Sequence, residues 1–214
     1  TLMNWHCRND VYSFHERPLI MGILNVTPDS FSDGGRFKST EEAVEAGLQL
    51  IADGADLLDI GGESSRPGAS PVSAGEELAR VLPVVKGILV KQHVAISIDT
   101  IKSQVAEACL DAGAVIINDI SGLQNDIHMS RIALKYNAGV IVMHMQGTPA
   151  TMQNQPRYRS VVKEVNEFFA TRLNELQEQG LPRESLAIDP GIGFGKTSKH
   201  NLTLLNSLDS FSRL

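Results

Sequence analysis

The sequence predicts one α/β domain built as a (β/α)8 TIM barrel, with about six of the eight βα units inside these 214 residues. Three observations lead there. Short β-branched apolar runs alternate with amphipathic helical patterns, as in a parallel sheet covered by helices. Nearly every run ends in a polar side chain: Asn25, Asp59 followed by Glu63, Asp99, Asn118 with Asp119, His144, and Asp189. A barrel builds its active site from the C-terminal ends of all its strands, whereas an open doubly wound sheet binds at one switch point. The even spread of polar ends therefore favours the barrel. Finally, a barrel takes about 250 residues, so the expectation is a single domain over residues 1–214 that is incomplete at its C-terminal side. A chain opening on Thr1 equally leads us to expect residues ahead of it.

The elements follow in order. Trp5–His15 reads as a short strand pair closing one end of the barrel. Strands are expected at Leu19–Leu24, Leu57–Ile60, Val94–Ile98, Val115–Ile117, Val140–Met143 and Leu186–Ile188, each too short for a helix. Ser39 with Glu42 forms a capping box ahead of Val44, Leu48 and Ile51. Ser73 with Glu76 repeats the device before Leu78, Val81, Leu82 and Val85, and Pro83 inside that pattern is expected to kink or interrupt it. Further helices are expected over Lys102–Ala112, Asp126–Asn137 and Tyr158–Gln179, with another beginning near Ser198.

Composition narrows the function classes. Apolar residues make up 42% of the chain, enough for a sizeable core, and the net charge of -6 argues against a mainly electrostatic nucleic-acid binder. No apolar run approaches membrane-spanning length, and residues 1–20 lack the apolar stretch of a secretory signal. Two cysteines, Cys7 and Cys109, make no disulfide scaffold, so a reducing cytoplasm is expected. Cys109, among Val105, Ala106 and Leu110, reads as a small core residue.

Three segments are too unusual to be connectors. Asn25 to Gly35 carries Asn, Thr, Ser and Asp groups suited to a hard cation or a phosphate. Asp59 to Gly68 combines glycines, hydroxyls and Arg66, whose planar fork suits phosphate oxygens. Asp189 to Thr197 ends in Gly-Lys-Thr, but Pro190 stands where a P-loop needs glycine, so a nucleoside-triphosphate site is rejected. Asp189 is read there as an inward carboxylate with Phe194 as a flat wall. His144 reads as a structural hydrogen-bonding residue, and no zinc-ligand spacing is present.

These segments resemble the dihydropteroate synthase family of folate biosynthesis. The resemblance rests on NVTPDSFSDGG from Asn25, DIGGESSRPGA from Asp59, SIDT around Asp99, NDISG from Asn118, MHMQGTP from Met143 and DPGIGFGKT from Asp189, in the family's order. It implies a transferase joining 6-hydroxymethyl-7,8-dihydropterin diphosphate to p-aminobenzoate with release of pyrophosphate. Asp99, Asn118 and Asp189 match the family's pterin-binding residues, and Asp99 is implied to be catalytic by stabilising positive charge. Asn25 matches the asparagine associated with Mg²⁺ and the diphosphate. Ser65 and Arg66 match a hydroxyl–Arg pair for the diphosphate, although many relatives carry Thr where Ser65 stands. Pro67 and Phe194 match the p-aminobenzoate pocket. The family's late Ser-Arg-Lys and Arg-x-His motifs do not occur in the 214 residues.

The implied partners are small-molecule substrates, with neither nucleic acid nor membrane; a homodimer is compatible with the reading. Two alternatives are weighed. A pterin-dependent methyltransferase shares the pterin groups but has no use for the Asn25 and Ser65–Arg66 loops. A pterin-binding protein without turnover is the reading that the absent late motifs favour.

Overall fold

The computed structural model describes residues 4–14, 16–27, 39–66, 69–212 and 214. Two short strands, β1 (Asn4–Cys7) and β2 (Asp10–Ser13), form an antiparallel hairpin. Six strands then alternate with helices: β3 (Met21–Asn25), β4 (Leu57–Gly61), β5 (Ala95–Asp99), β6 (Ile116–Asp119), β7 (Gly139–Met143) and β8 (Leu186–Asp189). The intervening helices are α1 (Thr40–Ala52), α2 (Ala74–Lys91), α3 (Ser103–Asp111), α4 (Met129–Tyr136) and α5 (Val161–Glu178), with α6 (Ser198–Leu205) after β8.

The sheet is parallel throughout and its spatial order is β3-β4-β5-β6-β7-β8, the order of the chain. A doubly wound sheet must reverse its order at a switch point. Here the order never reverses, so right-handed crossovers place successive helices on one face. The sheet therefore has a helix side and an inner side, as a barrel wall does.

Alternation along each strand assigns residues to the two sides. Leu24, Leu58, Ile60, Ile96, Ile98, Ile117, Val140 and Val142 are buried with helix residues such as Val44, Val85, Ile88 and Leu110 in the larger core. Leu57, Ala95, Ile116 and Ile141 are buried with Trp5 and Cys7 in a second, smaller core on the inner side. The hairpin thus plugs the end where the strands begin, as the sequence leads one to expect. Trp5 Nε1 donates to Ser185 O at 2.9 Å, and Arg8 Nη1 reaches Leu110 O and Ala114 O.

The helix signals hold with small adjustments. Ser73 and Glu76 form the full reciprocal capping box of α2, and Ser39 caps α1 by accepting from Glu42 N. α2 runs unbroken through Pro83, whose neighbours Val81, Val84 and Val85 are fully buried. Packing of that stripe outweighs one missing backbone donor. The expected helix from Asp126 starts later, at Met129, because Asp126 serves as a cap for two segments: its carboxylate accepts from His128 N and from Ser103 N, both at 2.9 Å. Cys109 is fully buried, the core role expected of it.

Candidate functional site

Register brings the expected polar residues into one row. Asn25 pairs with Gly61, Gly61 with Asp99, and Asp99 with Asn118, at or near the C-terminal ends of four adjacent strands on the inner side. Gly61 opens a gap in this row. A Cβ built there would lie 3.2 Å from Asp99 Oδ2 and 3.5 Å from Asn25 Oδ1, so both side chains lean over the glycine. Asp189 ends β8 on the same face, two residues beyond Ala187, which aligns with Ile141.

Asp59 lies one step below the row and is only 3% exposed. Its Oδ2 accepts from Asn118 Nδ2 at 3.0 Å, which leaves the Asn118 carbonyl to face other donors. Asn118 Oδ1, Asp59 Oδ1 and Ser97 Oγ are all buried without a hydrogen-bond partner. Buried polar atoms are normally paired; Glu77 Oε1 and Asp119 Oδ2, away from the row, are likewise unpaired, and of the inner three only Asn118 belongs to the row itself.

Burial raises the Asp59 carboxyl from 3.8 to about 6; Ser97 and Asn118 pull it down and the charge of Asp189 pushes it up. Ser97 acts by proximity, since no hydrogen bond of ordinary geometry joins it to Asp59. Asp99 keeps some solvent access, yet desolvation raises it well above 3.8, reinforced by Asp59, Glu77, Asp119 and Glu63.

A raised carboxyl carries a sign for stability. Between roughly pH 4 and 6 the folded chain retains the Asp59 proton that the unfolded chain releases, so stability falls as pH rises through that window. Asp59→Asn is therefore expected to stabilise the protein by roughly 1–3 kcal/mol at neutral pH, with the gain disappearing near pH 4. Urea midpoints at the two pH values check this; a destabilised variant at neutral pH would contradict it.

The loop from Gly62 to Ser73 is anchored by Glu63. Its carboxylate accepts from Val72 N at 3.1 Å and pairs with Lys102 Nζ at 2.5 Å, while Lys102 also reaches the fully buried Glu77 at 2.6 Å. Ser65 is half-buried on this loop and Arg66 is exposed, its carbonyl accepting from Ala69 N at 3.1 Å. Pro67 lies outside the described residues, as does the Pro28–Gly35 stretch of the first motif.

The loop after β8 begins with Asp189, whose Oδ1 accepts from Gly191 N at 2.7 Å. Phe194 is half-buried farther along. Gly191, Gly193 and Gly195 all take positive φ, at 67°, 86° and 61°, which is why this turn needs glycines.

One grouping made from sequence needs correcting. Asp119 does not join Asn118 at the site: successive strand residues face opposite sides, and Asp119 is fully buried on the helix side. There its Oδ1 accepts from Ser121 N at 2.7 Å and Ser121 Oγ at 2.6 Å, the role of a turn cap. Sequence reasoning placed Asp59 at a strand end without giving it a site role, and it missed Glu77 and Lys196. A signal existed for Glu77, which stands four residues before Val81 on the apolar stripe of its helix.

A metal's fit is limited. Among the described residues no group of three or more His, Cys, Asp or Glu side chains could hold an ion. Asn25 Oδ1 and Asp99 Oδ2 are hard oxygen donors over the Gly61 gap. That lean donor set fits Mg²⁺, which keeps waters and binds through substrate phosphates plus one or two protein oxygens. Among the described residues, no helix is long and apolar enough to cross a membrane.

Comparison with known proteins identifies the family and the fold. Residues 21–214 match the family model described as pterin binding enzyme. The dihydropteroate synthase of Escherichia coli K12 is 47% identical over 194 residues, covering 91% of this chain and 68% of that protein. A solved structure of Xanthomonas albilineans dihydropteroate synthase with 4-aminobenzoic acid superposes with a TM-score of 0.90 at 41% identity, covering 100% of this chain and 76% of that one. Another, of the same organism's enzyme in complex with 7,8-dihydropteroate, gives 0.85 at 38% identity, covering 98% of this chain and 74% of that one.

Proposed function

The chain belongs to the pterin-binding enzymes, among the dihydropteroate synthases, and from that premise we propose how its residues divide the work. The reaction is the condensation of 6-hydroxymethyl-7,8-dihydropterin diphosphate with p-aminobenzoate to give 7,8-dihydropteroate and pyrophosphate. The observation that carries the assignment of roles is the inner row Asn25–Gly61–Asp99–Asn118, with Asp59 beneath it and Asp189 on the same face two strands beyond Asn118.

A dihydropterin presents an aminopyrimidinone edge with adjacent donors. Asp189 accepts from that edge, and Asn118, its amide nitrogen engaged by Asp59, offers its carbonyl. The C–O bond to the diphosphate breaks as the leaving group takes the electron pair, and positive charge develops on the methylene conjugated with the ring. Asp99 faces that charge. Its carboxylate is costly in the free protein, because burial and neighbouring acids oppose ionisation. A cation forming beside it recovers that cost, which is preferential stabilisation of the transition state. The aryl amine attacks the methylene and loses its proton afterwards, so no strong enzymic base is needed.

Ser65 and Arg66 serve the diphosphate, with Pro67 and Phe194 beside the aryl ring. Mg²⁺ would be held by Asn25 and substrate oxygens, and when bound it draws charge from the leaving group. A reducing, cytoplasmic setting belongs to the same proposal, supported by two free, buried cysteines, Cys7 and Cys109.

The proposal is tested by pyrophosphate release that requires both substrates; release independent of p-aminobenzoate would overturn it. Arg66→Ala is expected to weaken the pterin diphosphate by roughly tenfold while leaving the free pterin alcohol nearly unchanged, because only the former carries the charge that Arg66 meets. Arg66 is exposed, so the effect should shrink at high salt. Paired calorimetric titrations of the two ligands measure this, and equal weakening of both would assign Arg66 to the fold.

A further inference from the structure

Lys196 has no part in the scheme above, yet it is buried at 3% exposure. Its Nζ donates to Phe194 O at 2.9 Å and His144 O at 3.2 Å, and meets His144 Nδ1 at 3.0 Å. An ammonium has three protons, and three acceptors stand around this one. With Nδ1 accepting, the neutral His144 ring carries its proton on Nε2. Burial, followed by the charge of Lys196, accordingly depresses His144 to about 4.

These bonds join two separate segments, the residue following β7 and the loop after β8. The loop lies hard against that strand end. A Cβ at Gly191 would fall 2.0 Å from His144 O, and one at Gly195 would fall 2.8 Å from Gln146 O. Neighbouring loop groups have their own anchors: Gln153 Nε2 donates to Gly193 O at 2.7 Å, Gly193 N to Asn201 Oδ1 at 2.9 Å, and Tyr158 Oη to Gly195 O at 2.9 Å. The Phe194 carbonyl is the part of the turn that Lys196 holds. A buried ammonium is costly even when fully paired, and an apolar chain of similar length would fill the space without that cost. Directional bonding to Phe194, which packing alone does not supply, is what the charge adds.

We propose that Lys196 is a positioning residue that, through Phe194 and His144, sets the Phe194 ring at the spacing the aryl amine substrate requires, and so governs affinity for that substrate and not for the pterin. This rests on the reading of Phe194 as a wall of the p-aminobenzoate pocket.

The groups facing the pair are Asp189 at the end of β8, Glu164 on α5 and Tyr158 ahead of α5, with His200 on α6 stacked edge-on behind Tyr158. Burial lowers Lys196 to about 8, although the charge of Asp189 opposes the shift. Above that pH the amine keeps two protons and can no longer donate three bonds. The clamp should then loosen, over a range where p-aminobenzoate itself does not change charge.

The test uses the full-length protein with pyrophosphate release as the readout. In the wild type, KM for p-aminobenzoate is expected to rise roughly threefold or more between pH 7 and 9 as the ammonium titrates, with KM for the pterin diphosphate flat. Lys196→Met should raise KM for p-aminobenzoate roughly tenfold at pH 7, keep kcat and the pterin KM within about threefold, and abolish the pH dependence. Lys196→Arg, whose fork cannot place three donors at one point, should not restore affinity. Equal changes in both KM values, an unchanged KM for p-aminobenzoate, or a pH rise that survives in Lys196→Met would overturn the proposal. Should the methionine variant fail to fold, a flat wild-type profile overturns it and a rising one supports it. A wild-type protein that releases no pyrophosphate would instead sink the functional reading itself, and this proposal with it.

Discussion

Asp99→Asn is expected to slow turnover by roughly 100- to 1,000-fold while changing the affinity of either substrate only a few-fold. The substitution keeps the shape of the side chain and removes the charge. Asp99 stands in the row between Gly61 and Asn118, where desolvation and the acids Asp59, Glu77, Asp119 and Glu63 raise its carboxyl well above 3.8. A group placed in that way contributes little to ground-state binding and most when positive charge appears in front of it. A pH dependence follows with a definite sign. The ionised form is the active one, so wild-type kcat should climb with pH through the titration of Asp99. In the variant that climb should be absent. Rapid-quench measurement of the chemical step across pH checks both statements. A variant that retains turnover within about fivefold would remove Asp99 from the catalytic role, since loss of a preorganised charge costs far more.

Asp189→Asn is expected to weaken pterin binding at least about tenfold, equivalent to roughly 1–3 kcal/mol. The reason lies in the turn that follows. Gly191 N donates to Asp189 Oδ1 at 2.7 Å, and Gly191 is held at a φ of 67° against the backbone of His144. That N–H needs an acceptor, so an asparagine here must turn its carbonyl toward Gly191. Its amide nitrogen then faces the ligand, donor against donor. The loss arises from orientation as well as from charge, and free pterin should suffer as much as its diphosphate. Calorimetry with the pterin alone measures it, and unchanged affinity would place Asp189 outside the site.

Much of the fold was legible from the chain because the two periodicities differ physically. Strands covered on both faces need short, continuous β-branched runs, and helices on a sheet need an apolar stripe with a cap ahead of it. Leu57–Gly61, Gly139–Met143 and the Ser73–Glu76 box meet those demands and fold as expected. The candidate residues Asn25, Asp99, Asn118 and Asp189 were legible too, since a polar side chain ending an apolar run has little structural reason to recur strand after strand. Start points were harder: Asp126 looks like the opening of a helix and instead caps α3 and the turn before α4.

What sequence could not decide was facing and depth. Asn118 and Asp119 are adjacent polar letters, but the pleat sends one to the site and the other to a turn cap among the helices. Asp59 and Asp99 share one residue type, and only register puts Asp59 beneath Asn118 and Asp99 beside the Gly61 gap. Lys196 reads as an ordinary lysine after a glycine turn. Its role depends on His144, 52 residues earlier in the chain, arriving at 3.0 Å. Local propensity is determined by neighbours along the chain, so sequence alone determined the elements and their polar ends. Burial, pairing and the resulting shifts in acidity are set by atoms brought together from distant segments, and only the tertiary structure decided those.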